Sequence, residues 1–221
     1  MAASGSVPDD PLEPVPELVL ASGSPYRAAM LAQAGIHVTV DPPEVDERAL
    51  DHLFDDLGAE GFALELARRK AAVVVARHPD AIVIAGDQVG VLDTPSGLRQ
   101  LNKQPDEDGA TAQLMRMSGT THRLVNGIVI VHAATGRAVE GVGEQRVTMR
   151  AFDETEARRY VRRFEPFDSG GSYRLEDQLE MDEGEGFVVE VEGEHDSGVR
   201  GLPLPLVRRM LASLGVVTPE L

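Results

Sequence analysis

The stretch Glu17-Leu18-Val19-Leu20-Ala21-Ser22-Gly23-Ser24-Pro25-Tyr26-Arg27 constrains this chain more than any other. An apolar, β-favouring run stops at two serines flanking a glycine, and a proline follows. Ser24 suits a helix N-cap, and Pro25 suits the first helical turn, where a missing N–H costs nothing. The spacing therefore predicts a strand feeding directly into a helix. Such a junction gathers free backbone N–H groups, the Ser22 and Ser24 hydroxyls and the Arg27 guanidinium in one small volume, a setting suited to phosphate. An ordinary strand-to-helix turn that binds nothing explains the same residues.

Further along, the pattern predicts a helix over Pro25 to Ala34 stopped by Gly35, and a strand over Ile36 to Val40. The acidic loop Asp41-Pro42-Pro43-Glu44-Val45-Asp46-Glu47 follows. The longest helical pattern runs from Ala59 to Arg77, with Phe62, Leu66, Ala67, Lys70, Val73 and Val74 on one face. Ala81 to Ala85 reads as a buried central strand ending at Gly86-Asp87-Gln88. A helix over Glu107 to Met117 precedes strands over Arg123 to Val131 and Ala138 to Arg150, joined by a hairpin turn at Ala134-Thr135-Gly136. Asp153 caps a helix to Arg163, Phe187 to Val191 reads as a strand, and Pro203 to Leu214 reads as a closing helix ended by Gly215. Parallel-type and hairpin connections together predict an α/β fold with a mixed sheet. Residues 1–15 read as a disordered acidic tail, which leaves 16–221 as one domain.

Charge and composition narrow the partners. The formal net charge of −16 disfavours a nucleic-acid polymer, since most of the surface would repel its backbone. A small anion remains admissible if a few cations converge on a pocket. Cysteine is absent, which excludes thiolate nucleophiles, thiolate metal sites and disulfides. No apolar run approaches the roughly 20 residues of a membrane span, and no secretory signal is evident, so a cytoplasmic enzyme is expected. Of the 21 basic residues, only Lys70 and Lys103 are lysine. In a chain that otherwise uses arginine, these two are candidates for sites needing a compact ammonium, although leftover surface lysines would look the same.

Chemistry-bearing residues fall in five places. These are the Ser22–Arg27 junction, the Glu44–Glu47 carboxylates, Lys70 on the long helix, Asp87 after the buried strand, and Lys103 in the turn Asn102-Lys103-Gln104-Pro105. A carboxylate at the carboxyl end of a central strand lies where α/β folds place ligands. Each has a plainer reading too: an acidic loop is commonly just solvated, a helix lysine commonly snorkels from a core edge, and an aspartate commonly caps.

Taken in order, Ser22-Gly23-Ser24-Pro25-Tyr26-Arg27, Glu44-Val45-Asp46-Glu47, Ala67-Arg68-Arg69-Lys70-Ala71, Gly86-Asp87-Gln88-Val89 and Lys103 resemble the Maf family of nucleotide pyrophosphatases. Leu114-Met115-Arg116-Met117-Ser118-Gly119 with His122, Gly170-Gly171-Ser172-Tyr173 and Gly201-Leu202-Pro203-Leu204 continue the resemblance to about residue 215. It implies a mixed-sheet α/β fold with flanking helices and two lobes around a central cleft. It implies a hydrolase that splits a nucleoside triphosphate into monophosphate and pyrophosphate with a divalent metal, Mg²⁺ or Mn²⁺. On that resemblance Asp87, Glu47, Lys70 and Lys103 are catalytic, Glu47 and Asp87 hold the metal, and Ser22, Ser24 and Arg27 bind substrate. A homodimer is compatible with it.

Within the family the chain is most similar to the branch acting on 7-methyl-GTP. That branch has Asp-Gln at Asp87-Gln88 and a carboxylate at Glu176, where the dTTP/UTP branch has Asp-Thr and glutamine. Tyr26, Gln88 and Glu176 are thus the expected specificity residues, with Glu176 accepting from the guanine N1–H and amine and Tyr26 stacking on the base. Tyr26 stands where that branch commonly has tryptophan, and Asn102-Lys103-Gln104 stands where the family usually has Gly-Lys-Pro. Arg174 has no assigned role. A dTTP/UTP pyrophosphatase and a nucleotide-binding division regulator with little turnover are the alternatives.

Overall fold

A computed structural model describes residues 16–219, so the tail read at 1–15 lies outside the described residues. The strands are β1 (Leu18–Ala21), β2 (Thr39–Val40), β3 (Ile82–Thr94), β4 (Gly97–Leu101), β5 (Thr121–His132), β6 (Arg137–Met149) and β7 (Val188–Gly193). The α-helices are α1 (Pro25–Gln33), α2 (Phe54–Val75), α3 (Glu107–Met117), α4 (Glu154–Phe164) and α5 (Leu204–Ser213). The strands form one seven-stranded sheet in the order β2-β1-β3-β5-β6-β7, with β4 paired to β3. β1 runs parallel to β2 and β3, and the remaining pairs are antiparallel. The architecture is mixed-sheet α/β, as the element pattern predicts.

Strand alternation assigns the layers. Val19, Ala21, Val83 and Ala85 face α2, where Ala67, Ala71 and Val74 meet them. Leu20, Ile82 and Ile84 face the other way, onto Leu31 of α1 and Val207 and Leu211 of α5. The long strands then leave this three-layer lobe and enter a second one. There Leu92, Leu101 and Leu124 pack with Leu114 and Met117 of α3 and Tyr160 and Val161 of α4. Both lobes are threaded by β3, β5 and β6, so they share a backbone rather than a linker.

Three expectations are corrected. The strand read over Ile36 to Val40 pairs only at Thr39–Val40, since its first residue is held by the end of α1, the Ile36 N–H donating to Leu31 O at 2.8 Å. The strand read as ending at Ala85 continues to Thr94, because β5 pairs with β3 from Ile82 through Val91 and carries it past the glycines. β4 was not expected; it forms by turning back on β3 after Pro95 and Ser96, with Gly97 at φ +116°. The long helix begins earlier than read, but Gly58 (φ +65°, ψ −179°) interrupts it, so the uninterrupted run starts at the expected Ala59. Among the described residues, no helix is long and apolar enough to cross a membrane.

Candidate active site

The sheet opens where β1 stops. β1 pairs with β3 as far as Ala21 beside Ala85, and β4 takes over that edge only at Leu101 beside Gly90. Over Gly86–Val89, β3 therefore has β5 on one side and no strand on the other. A cleft of about 780 Å³ lies along this gap, within the usual size range of small-molecule sites. Ser22, Ser24, Tyr26, Arg27, Glu47, Lys70, Asp87, Gln88, Lys103, Arg174 and Glu176 all line it. The structure thus brings the expected catalytic, substrate-binding and specificity residues into one cleft, while Glu44, Asp46 and His122 do not line it.

Alternation decides what Asp87 meets. It follows Val83 and Ala85 on the α2 face, and its side chain runs into Lys70, which shares the sheet-facing stripe of α2 with Leu66, Ala67, Ala71 and Val74. Both are nearly buried, Lys70 8% and Asp87 7% exposed, which decides against a surface lysine and a solvated cap. The close approach of α2 is made by Gly127, which lies opposite Asp87 on β5. A Cβ at Gly127 would stand 2.4–2.5 Å from the backbone of Ala63 and Leu64. Asp87 is thus not at a strand end, as expected, but in mid-strand beside the missing neighbour; the exposure comes from β1 ending, not from β3.

Lys70 Nζ also lies 2.6 Å from Glu47 Oε1, so one ammonium bridges two carboxylates. Glu47 precedes a short 3-10 helix (Arg48–Leu53) steadied by Asp46, whose Oδ1 accepts from the Ala49 N–H. Burial pushes the Asp87 carboxyl above the usual carboxylate range, outweighing Lys70 and Arg27, while Glu47 adds repulsion. Burial acts on Glu47 too, but there Lys70, with Lys103 and Arg27, prevails and holds it below the usual range. Two neighbouring carboxyls are therefore pushed apart in acidity, the pattern found where one group handles protons and the other stays charged. Asp87 Oδ2 accepts no hydrogen bond from the described residues.

The first junction forms as read. Ser24 caps α1 with its Oγ 3.5 Å from the Arg27 N–H, and Pro25 occupies the first turn. Arg27 folds back on the protein: Nη1 donates to Gly86 O at 2.8 Å and Ser22 Oγ at 3.2 Å, and Nε donates to Gly201 O at 2.8 Å. Burial lowers its pKa, against the pull of Asp87 and Glu47, yet a guanidinium stays protonated. Arg27 thus ties β3 to the Gly201 turn. Gln88, next along β3, points to the opposite face from Asp87. Its Nε2 donates to Gly198 O at 2.8 Å, Val199 O at 3.1 Å and Asn126 Oδ1 at 3.2 Å. Tyr26 is 43% exposed at the cleft mouth. Arg174 is engaged by Asp168, Asp177 and Phe164 O.

Sequence reasoning missed two features. Arg200 lines the cleft, with Nε 3.2 Å from Glu176 Oε1; it sits between Val199 and Gly201, and its only signal is a cation in a glycine-flanked turn. Gln113 of α3 is the other, 3% exposed and bonded on all sides. Its Nε2 donates to Asn102 O (3.0 Å), Gly170 O (3.0 Å) and Ser172 Oγ (2.7 Å), and its Oε1 accepts from Gln104 Nε2 (3.1 Å). It joins the Lys103 turn to the Gly170–Ser172 loop, both of which border the cleft. His122 is buried away from the cleft against the Tyr173 hydroxyl (2.8 Å), and burial lowers its pKa to about 4. It is neutral near pH 7 and supports Tyr173, which lines the cleft.

Six basic side chains (Arg27, Arg48, Lys70, Lys103, Arg174, Arg200) and five acidic ones (Glu47, Asp51, Asp87, Asp168, Glu176) line the cleft of a chain with net charge −16. The cleft is thus an electrostatic exception on an acidic molecule, able to receive an anion. Among the described residues, no group of three or more His, Asp or Glu side chains converges as a metal cage. Glu47 and Asp87 do fit the Mg²⁺ mode in which the protein offers one or two carboxylates and substrate phosphates supply other ligands.

Comparison with known proteins matches residues 17–214 to the family described as Maf-like protein. A 7-methyl-GTP pyrophosphatase of Alkalilimnicola ehrlichii is 40% identical over 86% of this chain and 88% of its own length. dTTP/UTP pyrophosphatases of Myxococcus xanthus and Deinococcus radiodurans are 38% and 36% identical, over 91% and 93% of this chain and 94% and 97% of theirs.

Proposed function

The chain belongs to the Maf family, and we propose that it is a nucleoside triphosphate pyrophosphatase that cleaves 7-methyl-GTP to the monophosphate and pyrophosphate. The observation that carries the reading is the Asp87–Lys70–Glu47 bridge in a cleft of nucleotide size that five further cations line. Asp87, raised in pKa and with Oδ2 unengaged, takes the proton of the water that attacks the α-phosphorus. Lys70 holds Asp87 in place, and on substrate entry its ammonium serves the phosphates as well. Lys103, paired with no carboxylate among the described residues, meets the charge that grows on the leaving pyrophosphate. Glu47 and Asp87 would hold Mg²⁺ or Mn²⁺, which when bound supplies Lewis-acid neutralisation of phosphate charge. Ser22 and Ser24 line the phosphate end, and the Arg27 anchor fixes it against the Gly201 turn.

Glu176, a carboxylate on the cleft wall, favours the guanine reading, because two donors on one base edge match two acceptor oxygens. The dTTP/UTP reading is favoured by relatives of comparable identity. A panel of 7-methyl-GTP, GTP, UTP and dTTP with Mg²⁺ or Mn²⁺ separates them, with pyrophosphate and phosphate assayed separately. The proposal expects pyrophosphate, and the highest kcat/KM for 7-methyl-GTP. Phosphate as the first product would overturn the reaction, and a pyrimidine nucleotide in first place would overturn the substrate.

A further inference from the structure

Glu176 does not face the cleft alone. It opens a short 3-10 helix (Glu176–Glu180), and its Oε1 lies 3.2 Å from Arg200 Nε. Both side chains are about one-third exposed, at 30% and 34%, and both line the cleft. Arg200 cannot easily swing away with its backbone, because the turn is pinned on both sides. Gln88 Nε2 holds Gly198 O and Val199 O, Asn126 Nδ2 holds Gly198 O at 2.9 Å, and Arg27 Nε holds Gly201 O. Arg200 Nε is buried yet makes no directed hydrogen bond, so what Glu176 receives from it is charge rather than a fixed donor. The carboxylate therefore keeps acceptor capacity for a ligand while its charge is countered.

We infer that Arg200 is a specificity-determining residue: as the counter-charge to Glu176 it keeps that end of the cleft near neutral and limits the preference for a cationic, N7-methylated guanine. The inference rests on the guanine reading of the cleft. Methylation at N7 adds a positive charge to the base and, while N1 stays protonated as in mildly acid buffer, leaves the N1–H and amine donors that Glu176 would accept. Hydrogen bonding at that edge is thus available to both bases, and net local charge is what separates them. A bare carboxylate would draw in the cationic base, whereas a carboxylate paired with a guanidinium draws it less.

The test is equilibrium binding of 7-methyl-GMP and GMP to the full chain, read as the ratio of their Kd values. Arg200→Gln leaves the local charge negative and is expected to shift the ratio roughly 3–10-fold toward 7-methyl-GMP. Arg200→Lys keeps the charge and should stay within about twofold of wild type, and Glu176→Gln should shift the ratio the other way. The double variant Glu176→Gln with Arg200→Gln, neutral again, should return to within about twofold of wild type. Arg200→Met replaces the glutamine variant if that one folds poorly. A merely structural Arg200 would weaken both nucleotides alike and leave the ratio unmoved, and that result, or a double variant that fails to return, overturns the inference. UMP included as a third ligand tells apart the failure of the underlying reading: if it outcompetes both guanine nucleotides in wild type, the guanine assignment falls and takes this inference with it.

Discussion

Lys70→Met removes the ammonium between Asp87 and Glu47 and keeps a side chain of similar length. What remains is a carboxyl 7% exposed with a second one nearby and Arg27 as the remaining cation acting on it. Breaking a buried pair by deleting one partner costs about 3–5 kcal/mol, and Glu47, with a side chain 42% exposed, recovers part of its loss from water. The lower end, about 3 kcal/mol, is the expected deficit at neutral pH, or a Tm lower by roughly 6–12 °C for a chain of this size. The deficit depends on pH in a definite direction. Asp87 already titrates above the ordinary carboxylate range, and losing Lys70, the strongest influence opposing burial, raises it further. The folded chain then keeps a proton that the unfolded chain releases. Stability falls as pH rises from the ordinary carboxylate value through the raised one, and stays low above it. Urea unfolding at about pH 8 and about pH 5 should therefore show a large deficit at the first and a smaller one at the second. Lys70→Met combined with Asp87→Asn, which leaves no carboxylate stranded at position 87, should recover most of the loss. A deficit equal at both pH values, or a double variant no better than Lys70→Met, would refute the reasoning.

Three other outcomes follow from the same geometry. Asp87→Asn should fold normally and lose about 10²-fold or more in kcat/KM; wild-type kcat/KM should rise with pH along an acid limb centred above the ordinary carboxylate range, and Glu47→Gln should keep that limb. Gln113→Leu strips the donors from Asn102 O, Gly170 O and Ser172 Oγ, costing about 1–3 kcal/mol in urea unfolding. It should also raise KM for the triphosphate, an effect expected to vanish in a Lys103→Ala background if Gln113 acts by setting the Lys103 turn. Gly127→Ala should destabilise by roughly 3 kcal/mol or more, since its Cβ meets backbone rather than a yielding side chain, and should cut kcat by displacing α2 and Lys70; a Tm within about 2 °C of wild type would show that α2 yields freely.

Local rules made much of the frame legible. α3 spans the expected Glu107–Met117, with Asp106 accepting from the Gly109 N–H, and α4 starts at a capping box in which Asp153 and Glu156 bond each other's backbone. The β5–β6 hairpin turns at Gly136, φ +68°, where a left-handed residue was needed. These signals are short-range. The course of β3 was not legible, because Gly86-Asp87-Gln88-Val89-Gly90 has the composition of a loop and is a strand only by virtue of β5 beside it. The site divides in the same way. Its residue types could be read from their motifs, but the Lys70–Asp87 contact depends on strand parity, and the Glu176–Arg200 pair on two loops that meet only in the folded chain.

That parity also changes what Gln88 means. Asp87 and Gln88 are neighbours in sequence, yet an extended backbone sends them to opposite faces of the sheet, one to α2 and the other to the Gly198–Gly201 turn. Asp87 therefore sits with Lys70, the proposed reacting end, while Gln88, with its amide nitrogen engaged by two carbonyls and Asn126, holds the turn that carries Arg200. A threonine at position 88 is too short to span those contacts and would loosen the turn, leaving Asn126 and Arg27 to hold it. On the proposed reading, any influence of this position on base choice would run through the placement of Arg200 opposite Glu176 and would not require the glutamine to touch the base. One strand thus serves both ends of the cleft because β1 ends at Ala21 and leaves the β3 edge open between them.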